Sequence, residues 1–374
     1  MTENQELATP ETASSWWSWL KWKPTSQILL ELAENQMLQG VKKTFKSYFV
    51  PIFNQNEIRT IETQNETERL PLVMLHGFGA GVGFWTLNLD ELSKEQKVYA
   101  IDLLGFGRSS RPTFPSDGAE AETLFIKSIE EWREKVGIEK FILLGHSFGG
   151  YLACSYSLQH PDRVKHLILA DPWGIPEKPP LGEQTFEIPR WAKVVAAILS
   201  PFNPLAAVRV AGPWGPALIN QFRPDLKKKY ERVFGKDDTR VMDYIYHCNA
   251  QSASGECAFK SLSIPYGWAK YPMVHRVQDI DRNIPITILF GSRSWMETTS
   301  GYTIKYLRHG SYVDVQIIKG AGHHVYADKP SEFNAVVNGV CEKVEKQLDK
   351  PYVYLNDKDT FKTEAISDDE QPHI

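Results

Sequence analysis

Lys140-Phe-Ile-Leu-Leu-Gly-His-Ser-Phe-Gly-Gly150 joins an apolar run to a helix-starting segment through a single serine, and the rest of the chain is read outward from it. The run has the length and composition of a buried strand, and glycines at 145 and 149 leave room for a sharp reversal into a helix. A residue at such a bend is held in a strained backbone conformation with its side chain presented outward. Ser147 therefore reads as a nucleophile. The N–H of Phe148, at the start of the helix, points to where negative charge would gather on an attacked carbonyl oxygen.

A serine hydroxyl is almost wholly protonated at neutral pH, so it needs a base and a third group to orient that base. Gly320-Ala-Gly-His323 follows the last strand-like run, and the small residues before His323 let its loop pass close to Ser147. The order serine, acid, histidine leaves two carboxylates. Glu297 lies in Gly291-Ser-Arg-Ser-Trp-Met-Glu297, and Asp171 closes the strand-like Val164 to Ala170. Glu297 is preferred because it keeps the order and has the longer arm, while Ser294 stands three residues after Gly291, where aspartate often serves. Phe78 in His76-Gly-Phe-Gly79 is the expected second oxyanion donor, since the flanking glycines permit its N–H to face Ser147. His76 and His146 are read as structural, and His324 as turned away by its one-residue shift. Asp102-Leu-Leu-Gly-Phe-Gly-Arg-Ser109 is read as a structural turn.

Outward from this stretch, apolar runs at Leu70 to Leu75, Val98 to Leu103 and Val164 to Ala170 alternate with helical patterns at Ala121 to Val136 and Gly149 to Gln159. That alternation predicts an α/β fold with a mostly parallel, doubly wound sheet covered on both faces. Two short β-like stretches between Lys46 and Thr63 precede it. The predicted layout is a first core part over 46–172, a helical lid over 173–278, a second core part over 279–349 and a disordered acidic tail over 350–374. Within the lid, helical pieces such as Arg190 to Leu199 and Arg223 to Val233 lack intervening strands. Its aromatic residues Trp173, Trp191, Phe202, Trp214, Tyr266 and Trp268 would line an acyl channel. The rhythm resumes with strands at Ile286 to Phe290 and Tyr312 to Ile318 and helices at Thr299 to Leu307 and Ser331 to Gln347.

Residues 1–45 are of a different kind. Trp16, Trp17, Trp19 and Trp22 stand within seven residues, beside Lys21 and Lys23, and a helical spacing follows from Gln27 to Lys43. Tryptophan pairs an apolar ring with a polar N–H, and lysine favours anionic head groups, so the segment reads as an anchor in a lipid–water interface. The chain has 374 residues, a net charge of −4, no long basic block and no zinc-type Cys/His spacing, which argues against nucleic-acid partners and a bound metal. No cofactor is called for. Cys154, Cys248, Cys257 and Cys341 show no pairing pattern, and with no signal-peptide pattern a cytoplasmic setting with peripheral membrane contact is expected.

His76-Gly-Phe-Gly79, Asp102-Leu-Leu-Gly-Phe-Gly-Arg-Ser-Ser-Arg111, Gly145-His-Ser-Phe-Gly-Gly150 and Gly322-His-His-Val-Tyr-Ala-Asp328 together resemble α/β-hydrolase domain-containing proteins four and five. The lid strings Pro201-Phe-Asn-Pro-Leu205, Tyr244-Ile-Tyr-His-Cys-Asn249 and Ile264-Pro-Tyr-Gly-Trp-Ala-Lys270 narrow the likeness to that branch, over about Trp16 to Lys346. The resemblance implies the α/β-hydrolase fold and action on acyl lipids: phospholipids, lysophospholipids, N-acyl phosphatidylethanolamine or acylglycerols. It implies cytoplasmic proteins peripheral on lipid droplets, and on endoplasmic reticulum or mitochondrial membranes. One branch member carries asparagine at the nucleophile and co-activates a triglyceride lipase, which makes a non-catalytic droplet-bound co-activator the alternative for this chain and that lipase and droplet-coat proteins implied partners; Arg293 and Gly322 match positions tied to that role. In the branch the loop acid matches Glu297, usually as aspartate. The spacing of His323 and Asp328 also matches glycerolipid acyltransferases, although Asp328 before Pro330 reads more readily as a helix cap.

Overall fold

Residues 25–180, 205–265 and 267–347 are described by the computed structural model. Helix α1 (Gln27–Leu38) starts where the Ser26 hydroxyl accepts the Leu29 N–H at 3.1 Å. A hairpin of β1 (Phe45–Pro51) and β2 (Glu57–Thr63) leads to β3 (Leu72–Leu75), the short α2 (Leu89–Leu92) and β4 (Val98–Ile101). Next comes α3 (Gly118–Val136), whose start is capped by Asp117 and whose end is Gly137 in the left-handed region at φ 79°. Then β5 (Phe141–His146), α4 (Phe148–Gln159) and β6 (Val164–Ala170) follow.

After β6 the described chain is mainly helical: α5 (Ala206–Ala211), α6 (Gly215–Phe222), α7 (Pro224–Phe234), α8 (Arg240–Ala250) and α9 (Gly255–Leu262). It also holds a small hairpin of β7 (Ser263–Ile264) and β8 (Trp268–Ala269), which the helical pattern did not anticipate. The expected helix over Arg190 to Leu199 lies outside the described residues, as do Trp191, Phe202 and Tyr266. The core resumes with β9 (Ile286–Gly291), α10 (Thr299–Leu307), β10 (Val313–Ile318), α11 (Val325–Asp328) and α12 (Pro330–Gln347).

One eight-stranded sheet results, in the order β1-β2-β4-β3-β5-β6-β9-β10. The first two strands are antiparallel to their neighbours, and every pairing from β4 through β10 is parallel. Parallel strands need helical crossovers, which cover both faces and demand apolar residues at successive positions. Along β5 the alternation is explicit: Phe141 and Leu143 join a core with α3 and α4, whereas Ile142 and Leu144 join another with α1 and α12. Strands β3, β4, β6 and β9 divide in the same way, so the sheet lies between two apolar layers. Among the described residues no helix is long and apolar enough to cross a membrane.

Helix α1 is tied to the sheet by charge as well as packing. Glu34 is fully buried, and its Oε1 accepts from Arg59 Nη2 at 2.6 Å and Arg108 Nη1 at 2.9 Å. Burial raises the Glu34 pKa, while the two guanidinium groups pull it down. Removing Glu34 leaves the buried Arg59 guanidinium without a carboxylate, while Arg108 keeps Glu31 at 3.1 Å. Glu34→Ala is therefore expected to destabilise the fold by about 3–5 kcal/mol, read as a lower urea midpoint; a change within 1 kcal/mol would show the pair to be marginal.

Candidate active site

Ser147 sits between β5 and α4 at φ 52° and ψ −117°, a conformation that L-residues rarely adopt. Its neighbours hold it there. A Cβ at Gly145 would lie 2.2 Å from the Gly149 carbonyl oxygen, and one at Gly149 would lie 2.5 Å from that of Leu75. Backbone cannot yield at such distances, so both positions require glycine. Parallel strands deliver the other groups to the same edge: the residues following β3, β6, β9 and β10 all leave their strands at the carboxyl end.

His323, in the loop after β10, places Nε2 3.0 Å from Ser147 Oγ. Its Nδ1 lies 2.6 Å from Asp171 Oδ2. Asp171 is fully buried at the end of β6, itself at φ 47°. Its Oδ1 accepts the Gly291 N–H at 3.1 Å, and its Oδ2 also accepts the Ser294 hydroxyl. A carboxylate so placed fixes the tautomer and plane of His323, and the ring can then take a proton from Ser147. This corrects the preference for Glu297. The Glu297 side chain is exposed in the turn just before α10, where its carbonyl accepts the Ser300 hydroxyl at 2.7 Å. Ser294 supplies a hydroxyl in place of a carboxylate, and the carboxylate that meets His323 comes from the end of the neighbouring strand.

In the loop after β3, Phe78 lies between Gly77 and Gly79 and lines the same cavity as Ser147. The N–H groups of Phe78 and Phe148 carry no hydrogen bond among the described residues, so both remain available to a bound oxygen. His76 is buried and makes two bonds: Nε2 accepts the Leu103 N–H at 3.0 Å, and Nδ1 meets the Gly77 carbonyl at 2.7 Å. Only the neutral Nδ1–H tautomer satisfies both. The turn carboxylate Asp102 accepts the Val82 and Arg108 N–H groups at 2.7 Å each, and burial lifts its pKa to about 6.

The histidine loop is held from two sides. His146 Nε2 donates to the His323 carbonyl at 2.9 Å. Asp328 accepts the Gly322 N–H through Oδ2 at 2.8 Å and Lys229 Nζ of α7 through Oδ1 at 2.5 Å. Asp328 thus corrects two expectations. Its carboxylate is spent on the loop and on α7 rather than on capping α12, and no hydrogen bond joins it to His323, whose Nδ1 is on Asp171. Arg293 and Gly322 stand on adjacent loops that both line the cavity.

That cavity has a volume of about 780 Å³. Phe78, Trp173 and Phe259 form an aromatic wall near Ser147, with the rings of Phe78 and Phe259 4.4 Å apart and those of Trp173 and Phe259 4.7 Å apart. Arg223, Lys229 and Arg293 bring positive charge to the lining, partly offset by Asp225 and Asp328. Trp295 is largely exposed, and its ring centroid lies 5.0 Å from that of His323. Trp295 and Phe259 received no role from sequence spacing, because each acts through a tertiary neighbour.

Fold and site together define an α/β hydrolase, and residues 71–330 match the alpha/beta hydrolase fold family. The chain belongs to that family. It is 52% identical over 322 residues to "(Lyso)-N-acylphosphatidylethanolamine lipase" of Bos taurus, covering 86% of this chain and 94% of that protein. It is equally 52% identical over 322 residues to "1-acylglycerol-3-phosphate O-acyltransferase ABHD5" of Homo sapiens, covering 86% of this chain and 92% of the relative. Among solved structures, naproxen esterase from Bacillus subtilis shares the fold with a TM-score of 0.58 at 17% identity, covering 84% of this chain and 97% of that one.

Burial lowers the pKa of His76 to about 4 and of His166 to about 3, and it lowers His146 and His324 as well. An unfolded chain takes up these protons near pH 6.5, so below that value the unfolded state binds more protons and folding weakens. At pH 5 His76 and His166 each withdraw about 2 kcal/mol. Asp102 and Glu34, both raised by burial, act in the opposite sense, since their destabilisation eases as pH falls, for Asp102 from about 6. Four buried histidines stand against these two carboxylates. Urea unfolding at pH 5 is expected to show a stability lower than at pH 7 by a few kcal/mol; equal midpoints would mean that these rings are not buried neutral.

Proposed function

We propose that this chain is a serine hydrolase of acyl lipids, in which Ser147 attacks an ester or amide carbonyl and His323 takes its proton. The observation that carries the reading is the continuous relay Ser147 Oγ, His323, Asp171, with links of 3.0 and 2.6 Å. As the tetrahedral intermediate forms, the N–H groups of Phe78 and Phe148 meet its oxyanion. His323 returns the proton to the departing group, which leaves an acyl-Ser147. Water, deprotonated by the same ring, then releases the acid; an alcohol taking the place of water would give acyl transfer. The lipase and acyltransferase names of the relatives fit these two fates of one intermediate. An aromatic wall beside Ser147 suits an acyl chain, and the cationic lining suits a phosphate-bearing head group.

Ser147→Ala is expected to abolish release of fatty acid from lysophospholipid or acylglycerol vesicles and labelling by a fluorophosphonate. Asp171→Asn, which upsets the tautomer of His323, should lower kcat by about 10³–10⁴-fold, whereas Glu297→Gln should stay within about twofold. The opposite order for the two acids would return the role to Glu297, and turnover by Ser147→Ala would end the proposal.

For its setting, we place the chain peripherally on lipid droplets or membranes, docked by Trp16, Trp17, Trp19 and Trp22, which lie outside the described residues. Helix α1, which follows them, exposes Ile28, Leu29 and Leu32. Changing the four tryptophans together to alanine should remove the protein from floated droplets without changing its urea midpoint. Retention on the droplets would assign the rings to the protein's own core.

A further inference from the structure

The loop that carries Phe78 is not held by the hydrolase core alone. Asn249, buried near the end of α8, donates from Nδ2 to the Gly79 carbonyl at 2.7 Å and to the Ile245 carbonyl at 2.8 Å. Both partners are carbonyl oxygens, so the amide NH2 must face them. Gly79 lies at φ 67°, and a Cβ there would meet Asn249 Oδ1 at 2.8 Å, so the two residues fit as a pair.

The consequence follows from peptide geometry. In a trans peptide the C=O and the next residue's N–H point in opposite directions and turn as one plate. Asn249 grips the Gly79 carbonyl and so sets the Ala80 N–H, which donates to the Gly77 carbonyl at 3.2 Å. His76 Nδ1–H donates to the same oxygen at 2.7 Å. The Gly77 carbonyl belongs to the plate whose other edge is the Phe78 N–H. Two linked peptide planes therefore run from Asn249 to the expected oxyanion donor.

We infer that Asn249 is a positioning residue for the oxyanion site, reaching from the helical segment between β6 and β9 into the catalytic loop. The inference rests on the serine hydrolase reading above. Asn249 touches no reacting atom; it aims the Phe78 N–H at an oxygen that bears charge only in the transition state. A group of this kind moves kcat and leaves KM nearly alone.

The test compares Asn249→Asp, which keeps the shape but cannot donate and repels the Gly79 carbonyl, with the milder Asn249→Ser. Turnover of a soluble short-chain ester, corrected for active-site titre, should fall about 10- to 100-fold in kcat for Asn249→Asp, with KM within about twofold. Affinity for a trifluoromethyl ketone, which forms a tetrahedral adduct on Ser147, should fall by the same factor. Asn249→Ser should lie between Asn249→Asp and wild type. Hydrogen–deuterium exchange of residues 76–81 should quicken in Asn249→Asp, a readout independent of activity. Unchanged kcat and exchange would overturn the assignment, and so would failure of both variants to fold, which would make Asn249 a packing residue. Wild-type protein with no turnover and no fluorophosphonate labelling would instead sink the hydrolase reading, while the exchange comparison still decides whether Asn249 holds the loop.

Discussion

The backbone of α4 runs so close to the end of β3 that a single methyl group at position 149 would sit 2.5 Å from the Leu75 carbonyl and 2.6 Å from that of His76. This close approach is the constraint on which the site depends. It sets the bend between β5 and α4, and the bend forces Ser147 into a positive φ with its side chain above the sheet edge. It also brings the loop after β3 alongside the first turn of α4, so Phe78 and Phe148 are neighbours of one serine though far apart in the chain. Strain at Ser147 and Asp171 is borne by strands buried on both faces, which have no freedom to relax it.

What was legible in the sequence follows from which interactions are local. Strand, turn and helix at Ser147 are contiguous, and the glycines that permit the turn lie within two residues of it, so the pattern carries the geometry with it. The alternating apolar runs gave the sheet because each buried strand is satisfied by its own composition. The carboxylate partner of His323 was not legible. Asp171 reaches His323 only because β6 and β9 are adjacent and in register, with Ala170 opposite Leu289, which sets Asp171 beside Gly291 and Ser294. No spacing within either segment encodes that pairing. Glu297 keeps the chain order but lies in the turn just before α10, where its carbonyl accepts the Ser300 hydroxyl and its side chain is exposed. Asp328 departs from its local pattern for a related reason: a carboxylate before a proline suggests a cap, yet its partners come from Gly322 and from Lys229 of α7.

The segment between β6 and β9 is bound to the core by polar contacts at the loops that matter. Lys229 meets Asp328, Tyr230 donates to the Phe84 carbonyl at 2.7 Å, and Tyr244 accepts the Gly83 N–H at 3.1 Å. Gly83 and Phe84 directly follow the Phe78 loop. Helix α8 is held in turn by the start of α1, where Thr25 meets His247 Nδ1 at 2.8 Å and accepts from Gln251 at 3.0 Å. The residues just after the tryptophan-rich stretch thus contact the helix that bears Asn249.

Asp225 pairs with Arg223 at 3.0 Å, and Lys229 is shared between Asp225 and Asp328, at 3.8 and 2.5 Å. Arg293 has no such pairing among the described residues. A bound anion near Lys229 would compete with Asp328 for its ammonium, and Asp328 also secures the Gly322 N–H one residue before His323. The loop that carries His323 and a cation of the cavity lining therefore share one carboxylate. Asp328 links the shape of the cavity mouth to the seat of His323 without any direct bond to the imidazole.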